Sequence, residues 1–233
     1  MVKDIIGKIV TMLPKSVGEK VARFMLKNFI LNKANIKVEG IDTAKNVSGP
    51  IIFICNHLSN ADGPVLSGVL EPYDPTFVAG VKLSQNNFTK LGILAVKTTP
   101  IKPDTADKVG LSNIVSIAKK GGNIVIFPEG TRSRNGKMIK AKKGLYLIAK
   151  LTKATIVPIG MWGTEKFMPI NDNGMEKEKV NRTDIHIKIG EPFTLRPRAA
   201  EEDKKQYEEA VVEEAMTKIA ELLPEEYRGE YSI

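Results

Sequence analysis

The spacing of hydrophobic residues along the chain changes near residue 35. Before it, apolar positions recur every three or four residues in two segments separated by Pro14, which predicts two amphipathic helices with basic polar faces. After it, short apolar runs alternate with helical spacing, and Ile51–Cys55 and Ile124–Phe127 are apolar throughout. Unbroken apolar strands are typical of parallel sheets covered on both faces. We therefore predict an amphipathic two-helix segment over 1–34 and, over 35–233, an α/β domain whose largely parallel central sheet is flanked by helices.

The remaining segments continue this alternation. We predict further strands at Ile36–Glu39, Thr76–Ala79, Thr155–Ile159 and Asp184–Ile189, helices at 64–70, 106–120, 141–152 and 200–222, and a helix or turn at 88–96.

Two polar loops follow the two unbroken apolar strands. The first, Cys55–Pro64, contains His57 and Asp62, and the second, Phe127–Ser133, contains Arg132. Ligand-binding loops of open α/β sheets gather at the carboxyl ends of the strands. We therefore expect these two loops to contribute to one site.

His57 and Asp62 have the residue types of a general base and the carboxylate that orients it. A carboxylate that accepts a proton from one imidazole nitrogen fixes the tautomer and leaves the other nitrogen free to accept a proton. Asp62 has a second compatible role as the N-cap of the helix that follows. The only other histidine, His186, alternates with isoleucines in a predicted strand and is interpreted as a surface residue.

The second loop has the residue types of a phosphate site. Arg132 offers a planar fork of donors that binds phosphate through two hydrogen bonds, and Gly130 leaves backbone amides accessible. Glu129 is suited either to bind a substrate hydroxyl or to pair with an arginine and hold the loop. Taken alone, the segment is equally compatible with a plain turn that carries solvated charges.

Charge and composition narrow the classes of partner and of site. The net charge is +8, and residues 131–153 contain eight basic residues and no acid, which favours nucleic acid, an acidic membrane surface or a phosphorylated substrate. The single cysteine, Cys55, excludes an intrachain disulfide and favours a reducing compartment, and with two distant histidines it does not make a zinc ligand set. No phosphate-loop or dinucleotide fingerprint, serine-hydrolase elbow, signal peptide or membrane-spanning apolar stretch is present.

Taken together, the two loops resemble the 1-acyl-sn-glycerol-3-phosphate acyltransferases, a family of glycerolipid acyltransferases. Asn56-His57 with Asp62 matches the family's H-x-x-x-x-D motif, and Phe127–Ser133 matches its F-P-E-G-T-R-S motif without a substitution. The segment Ile156–Ile159 is similar to the family's apolar strand with an embedded proline. The resemblance covers roughly residues 36–195.

This resemblance implies transfer of a fatty acyl group from a thioester, acyl-CoA or acyl carrier protein, to the sn-2 hydroxyl of lysophosphatidic acid. The product is phosphatidic acid, and the reaction requires no acyl-enzyme, cofactor or metal. It also implies that His57 is the general base and Asp62 its orienter. The implied substrate-binding residues are Asn56, Lys102, Glu129, Gly130, Thr131 and Arg132.

One segment departs from the family's pattern. Between the two motifs, the family usually has a short strand that ends in an arginine, which contacts the glycerol phosphate. The corresponding residues here, 91–103, contain no arginine. Lys102, or alternatively Lys97, is expected to supply this charge as a point contact.

The basic helices of residues 1–34 have two interpretations. Either they dock on an anionic membrane surface, which places the protein peripherally on the cytoplasmic face, or their apolar stripes simply pack on the domain. Other acceptors, such as a different lysophospholipid or glycerol 3-phosphate, remain open. A non-catalytic lipid-binding module leaves the His57–Asp62 pair unexplained. We expect no nucleic-acid partner, because aromatic residues make up 6% of the chain and no recognition motif is present.

Overall fold

Strands and helices alternate along the chain in the computed structural model, which describes residues 14–81, 95–102, 105–174 and 177–232. The strands are β1 (Ala34–Glu39), β2 (Ile51–Cys55), β3 (Thr76–Gly80), β4 (Thr98–Ile101), β5 (Ile124–Ile126), β6 (Thr155–Trp162) and β7 (Thr183–Ile189). The helices are α1 (Lys15–Leu31), α2 (Asp62–Val69), α3 (Lys108–Lys119), α4 (Gly144–Thr152), α5 (Thr164–Phe167) and α6 (Lys204–Ala220), and short 3-10 turns lie at Glu71–Tyr73, Glu225–Tyr227 and Gly229–Tyr231.

The seven strands form one mostly parallel sheet in the order β1-β7-β6-β2-β5-β3-β4. Five neighbouring strands, from β6 to β4, run in the same direction, whereas β7 is antiparallel to β6 and β1 is parallel to β7. The predicted α/β fold with a largely parallel sheet is therefore confirmed. This topology places the carboxyl ends of β2 and β5, which are hydrogen-bonded neighbours, side by side at one edge.

Strand β2 lies at the centre of the sheet and contributes to both hydrophobic cores. Its five residues are at most 3% exposed. Ile51, Phe53 and Cys55 belong to the core on one face, while Ile52 and Ile54 belong to the core on the other. Because successive side chains of a strand point to opposite faces, a strand covered on both sides must be apolar at every position. This is the physical reason for the unbroken run in the sequence.

Strand β6 continues through Pro158, although proline lacks an N–H for the sheet. The ladder to β7 begins one residue later, at Ile159, and an isolated bridge joins Ile156 to Phe193. Pro158 thus lies at a break in that ladder, where its carbonyl accepts the Gly190 N–H at 2.9 Å. Such breaks are among the few positions in a sheet where proline is tolerated.

Strand β4 was not predicted from the hydrophobic pattern. It is the edge strand beyond β3, and its four residues include Pro100. Edge strands accept proline, and so short a strand shows no alternation that could identify it. The helix or turn predicted at 88–96 lies outside the described residues as far as position 94.

Helix α1 packs on the domain with one face and exposes an apolar strip on another. Ala22 and Ile30 are at most 5% exposed, whereas Val17, Phe24 and Leu31 are 44%, 70% and 56% exposed. The last three are seven residues apart, a spacing that returns to nearly the same side of an α-helix. We call these three residues the α1 strip. Of the apolar stripe predicted for this helix, Val17 and Phe24 lie on the outer face, whereas Val21 and Met25 are partly buried. The first predicted helix lies outside the described residues.

Within the described ranges, no helix is both long enough and apolar enough to cross a membrane.

Candidate active site

The His57 side chain is bound to Asp62 at the carboxyl end of β2. His57 Nδ1 lies 2.7 Å from Asp62 Oδ2, and the same oxygen accepts the backbone N–H groups of Leu58 (2.7 Å) and Ser59 (2.9 Å). Because Asp62 Oδ2 already accepts two backbone N–H groups, it is an unprotonated acceptor toward His57 as well. We therefore assign the imidazole proton to Nδ1. This tautomer leaves the lone pair of Nε2 available to take a proton, and the His57 side chain is 20% exposed.

Asp62 orients His57 and does not cap the helix. It is the first residue of α2, where Ala61 occupies the N-cap position, and no side chain caps the helix. Asp62 is completely buried, and its Oδ1 has no hydrogen-bond partner. The N-cap role considered from the sequence is therefore wrong.

The two predicted loops meet around the backbone of His57. The His57 N–H donates to Glu129 Oε1 at 2.9 Å, and the His57 carbonyl accepts the Ser133 N–H at 2.8 Å. The imidazole also stacks on Phe127, with ring centroids 4.2 Å apart and an interplanar angle of 20°. The structure thus brings together the loop Cys55–Pro64, called the histidine loop, and the loop Phe127–Ser133, called the arginine loop. They meet at the carboxyl ends of β2 and β5, as expected from the topology.

Glu129, in the arginine loop, binds backbone N–H groups of the histidine loop and of the segment that follows its own loop. Both carboxyl oxygens accept backbone N–H groups, Oε1 from His57 and Oε2 from Ile139 (3.2 Å), and the residue has no exposed surface. Burial in this apolar setting raises the pKa of Glu129 to about 8. These contacts give Glu129 a positioning role in the loops, and its assignment to substrate binding stays a prediction from the sequence.

Asn56 also has a positioning role. Its amide donates to the carbonyl of Met161 (2.8 Å) and accepts from the N–H of the same residue (2.9 Å), and so fastens the start of the histidine loop to β6. Asn56 is fully buried, and its assignment to substrate binding stays a prediction from the sequence. The neighbouring Cys55 is also buried, and burial raises the pKa of its thiol, in agreement with an inert cysteine.

Arg132 is held by an acid that the sequence did not single out. Its Nη1 donates to Glu178 Oε1 at 2.7 Å; the Arg132 side chain is 16% exposed and that of Glu178 is fully buried. The neighbouring Gly130 and Thr131 are exposed, so their backbone is accessible. Gly130 has φ +70°, a left-handed conformation that glycine adopts without strain.

The two lysines considered for the missing arginine lie at opposite ends of β4. Lys97 precedes the strand, and its Nζ forms an ion pair with Asp74 at 2.7 Å. Lys97 therefore lies at the amino ends of the parallel strands, whereas the histidine loop lies at their carboxyl ends. Lys102 follows the strand, is exposed, and lies at the same edge as the histidine and arginine loops, two strands beyond β5. Of the two, only Lys102 has a position compatible with the site.

His186 is partly exposed on the face of β7 opposite the buried isoleucines, as the alternation predicted, and there it stacks on Trp162 with ring centroids 4.8 Å apart. No group of three or more histidine, cysteine, aspartate or glutamate residues suited to a metal occurs in the part of the chain that the structure describes.

Comparisons with known proteins find similar acyltransferases. The chain is 28% identical over 160 residues to a chloroplastic 1-acyl-sn-glycerol-3-phosphate acyltransferase of Brassica napus, an alignment that covers 67% of this chain but only 44% of the plant protein. It is 24% identical over 168 residues to a protein of the same name from Bacillus subtilis, covering 72% of this chain and 78% of the relative.

A solved structure has a similar fold. It is the 1-acyl-sn-glycerophosphate acyltransferase of Thermotoga maritima, with a TM-score of 0.61 and 21% identity, covering 95% of this chain and 89% of that one. The Acyltransferase family model matches residues 35–162, a range that includes both the histidine loop and the arginine loop. Because this match covers more than half of the 233 residues, the chain belongs to the Acyltransferase family.

Proposed function

We propose that this protein transfers a fatty acyl group from a thioester to the sn-2 hydroxyl of lysophosphatidic acid and so forms phosphatidic acid. The observation that carries the proposal is the His57–Asp62 pair, hydrogen-bonded at 2.7 Å, whose backbone is bound to the loop that contains Arg132. A proton acceptor beside an arginine suits an acceptor that has both a hydroxyl and a phosphate. The names of the relatives support the same substrate.

His57 begins the proposed reaction as a general base. Nε2 takes the proton of the sn-2 hydroxyl while that oxygen attacks the thioester carbonyl, and the new C–O bond gives a tetrahedral intermediate. Asp62, which holds Nδ1–H, stabilises the imidazolium that forms. The intermediate collapses as the C–S bond breaks, and the thiolate leaves with the proton returned by the imidazolium.

Phosphate binding is assigned to the second loop. Only Nη1 of Arg132 has a hydrogen-bond partner among the described residues, so Nε and Nη2 remain for a phosphate. These two nitrogens form one edge of the guanidinium, a geometry that supports two parallel hydrogen bonds. The exposed backbone at Gly130 and Thr131 lies beside it, and Lys102 adds a positive charge from the end of β4.

The proposed reaction is tested by a panel of acceptors and donors. Purified protein is supplied with acyl-CoA or acyl carrier protein thioesters and with lysophosphatidic acid, other lysophospholipids or glycerol 3-phosphate, and the acylated products are quantified. We expect the highest kcat/KM with lysophosphatidic acid. A higher kcat/KM with another acceptor would make that acceptor the substrate in place of lysophosphatidic acid. If no acceptor is acylated, the proposed function is rejected.

Replacement of Arg132 by alanine is expected to raise KM for lysophosphatidic acid roughly 10- to 100-fold. A hydrogen bond to a charged group contributes about 1.5–3 kcal/mol, and the variant loses the phosphate fork. Steady-state kinetics at saturating thioester measure the change. The matched control is Arg134→Ala, because Arg134 is two residues away and forms only an exposed ion pair with Asp172. Equal KM values for the two variants would remove Arg132 from the phosphate site.

We also propose that α1 contacts an anionic membrane surface and that the protein works peripherally on the cytoplasmic face. The α1 strip of Val17, Phe24 and Leu31 is exposed. The exposed side chains of Lys20 and Lys27 lie on the adjoining side of the helix, where Lys27 also forms an ion pair with Glu71 at 2.8 Å. Apolar side chains that enter the interface beside lysines that meet the head groups are typical of interfacial helices. A lipid acceptor makes such contact useful for catalysis.

Replacement of Phe24 by serine is expected to weaken binding to vesicles that contain phosphatidic acid by about tenfold. Phe24 is 70% exposed, and transfer of a phenylalanine side chain out of water contributes about 1.5–3 kcal/mol. Vesicle flotation measures the bound fraction. Val109→Ser in α3 is the control, because Val109 is 72% exposed on another helix. Equal losses in the two variants would contradict a specific role for α1.

A further inference from the structure

Glu178 connects the two loops of the site through its carboxylate. One oxygen accepts from Arg132 Nη1 at 2.7 Å, and the other accepts from the side-chain amide of Asn60 at 2.8 Å. Asn60 lies between His57 and Asp62 in sequence. Glu178 itself belongs to the segment between α5 and β7, outside both motifs, and its side chain is completely buried.

Its two contacts fix the guanidinium of Arg132 in a defined orientation. A long arginine side chain has considerable rotamer freedom, and ordering it has an entropic cost. When the side chain is already held in place before the ligand binds, this cost no longer weakens binding. The bond to Glu178 uses Nη1 and leaves the edge formed by Nε and Nη2 unoccupied by the described residues. The contact thus selects which edge of Arg132 faces a ligand.

The same contacts set the position of Arg132 relative to the base. Asn60 is three residues from His57, and the Ser59 hydroxyl beside it donates to the carbonyl of Met168 at 2.8 Å. The histidine loop and the arginine are therefore held by one segment of the chain. A phosphate and a hydroxyl of the same acceptor must reach these two groups at a fixed separation, so their relative placement bears on acceptor binding.

We propose that Glu178 is a positioning residue for the acceptor's phosphate and acts through Arg132. The proposal rests on the proposed function, because it assumes that Arg132 binds that phosphate. Because its side chain is completely buried, Glu178 does not contact the phosphate itself in this role. Its carboxylate holds the guanidinium at one edge so that the other edge is ready for a bidentate phosphate.

The test combines Glu178→Gln with Arg132→Ala. Glutamine keeps the size of the side chain and one acceptor oxygen but removes the charge. We expect the substitution to lower kcat/KM for lysophosphatidic acid about tenfold, through KM with little change in kcat and no change in KM for the thioester. In the Arg132→Ala background the same substitution is expected to change kcat/KM less than twofold. Asp172→Asn, which removes an exposed acid of the same segment, is the matched control.

The outcomes separate this inference from the proposed function. Equal effects of Glu178→Gln in both backgrounds, a loss confined to kcat, or tighter binding of the acceptor would overturn the positioning role. The last result would mean that the Glu178 charge acts mainly by repelling phosphate. Calorimetric titration with lysophosphatidic acid, without thioester, repeats the comparison in the absence of turnover. If neither the wild type nor any variant transfers acyl groups, the proposed reaction is rejected. The role of Glu178 is retained in that case if the calorimetric affinity for lysophosphatidic acid still depends on Glu178 only when Arg132 is present.

Discussion

Replacement of His57 by alanine is expected to reduce kcat for acyl transfer by ~10²–10⁴-fold, the range that a positioned proton acceptor typically contributes. Among the described residues, the variant loses the one imidazole that a carboxylate orients in the site. The measurement is steady-state transfer to lysophosphatidic acid at saturating concentrations of both substrates. The His57 peptide, which joins the two loops, is retained in the variant.

His186 supplies the matched control, since it is the second of the two histidines and lies in β7. Its replacement by alanine removes a stacking contact with Trp162 but touches neither motif loop. We expect kcat for that variant to remain within about twofold of wild type. Retained activity in the His57 variant, with thermal unfolding of both variants near wild type, would eliminate the proposed base.

Replacement of Asp62 by asparagine is expected to lower kcat by roughly 10²–10³-fold. Where asparagine imposes the wrong tautomer on a catalytic histidine, the loss is ~10⁴-fold. Here the Leu58 and Ser59 N–H groups also point at Oδ2, so they favour the amide oxygen at that position and preserve the His57 tautomer. The variant therefore isolates the contribution of the carboxylate charge to the imidazolium.

The asparagine amide would occupy the place of Oδ1, which is buried without a partner. An unsatisfied buried donor costs about 1–3 kcal/mol, so a lower unfolding temperature is expected in addition to the kinetic loss. Asp74→Asn is the control, because Asp74 pairs with Lys97 at the other edge of the sheet. A stability loss with unchanged kcat would show that Asp62 has only a structural role.

The sequence predicted the sheet well because burial on both faces leaves an unambiguous pattern. Ile51–Cys55 is apolar at each position, and the structure covers it with two cores. The place of the site follows from the same strands, since a polar loop after a buried parallel strand opens at the carboxyl edge. Strand β4, with four residues and a proline, has no such pattern.

The roles of polar residues inside the site were harder to predict. Asn56 and Glu129 both lie in the motifs, yet their side chains bind backbone atoms that are 105 and 72 residues away in sequence. A residue type at a motif position does not reveal whether it faces a ligand or the protein interior. Glu178 lies in a run of alternating lysines and glutamates, which from sequence alone resembles a solvated surface.

The division of α1 into two apolar faces was also beyond the sequence. The stripe from Val17 to Phe29 has helical spacing throughout, so a sequence alone does not distinguish the residues that pack inward from those left exposed. The position of the neighbouring elements decides this: Val21 and Met25 are partly buried, whereas Phe24 is exposed.

The bond between the His57 peptide and Glu129 also bears on the order of folding. Its two residues are 72 positions apart, and they meet where β2 and β5 are paired. Closing so long a loop has an entropic cost, which the pairing of the two strands must offset. The histidine loop has local contacts of its own, from Leu58 and Ser59 to Asp62, but it is joined to the arginine loop only once β2 and β5 have paired. The complete site is therefore expected to be lost whenever these two central strands separate.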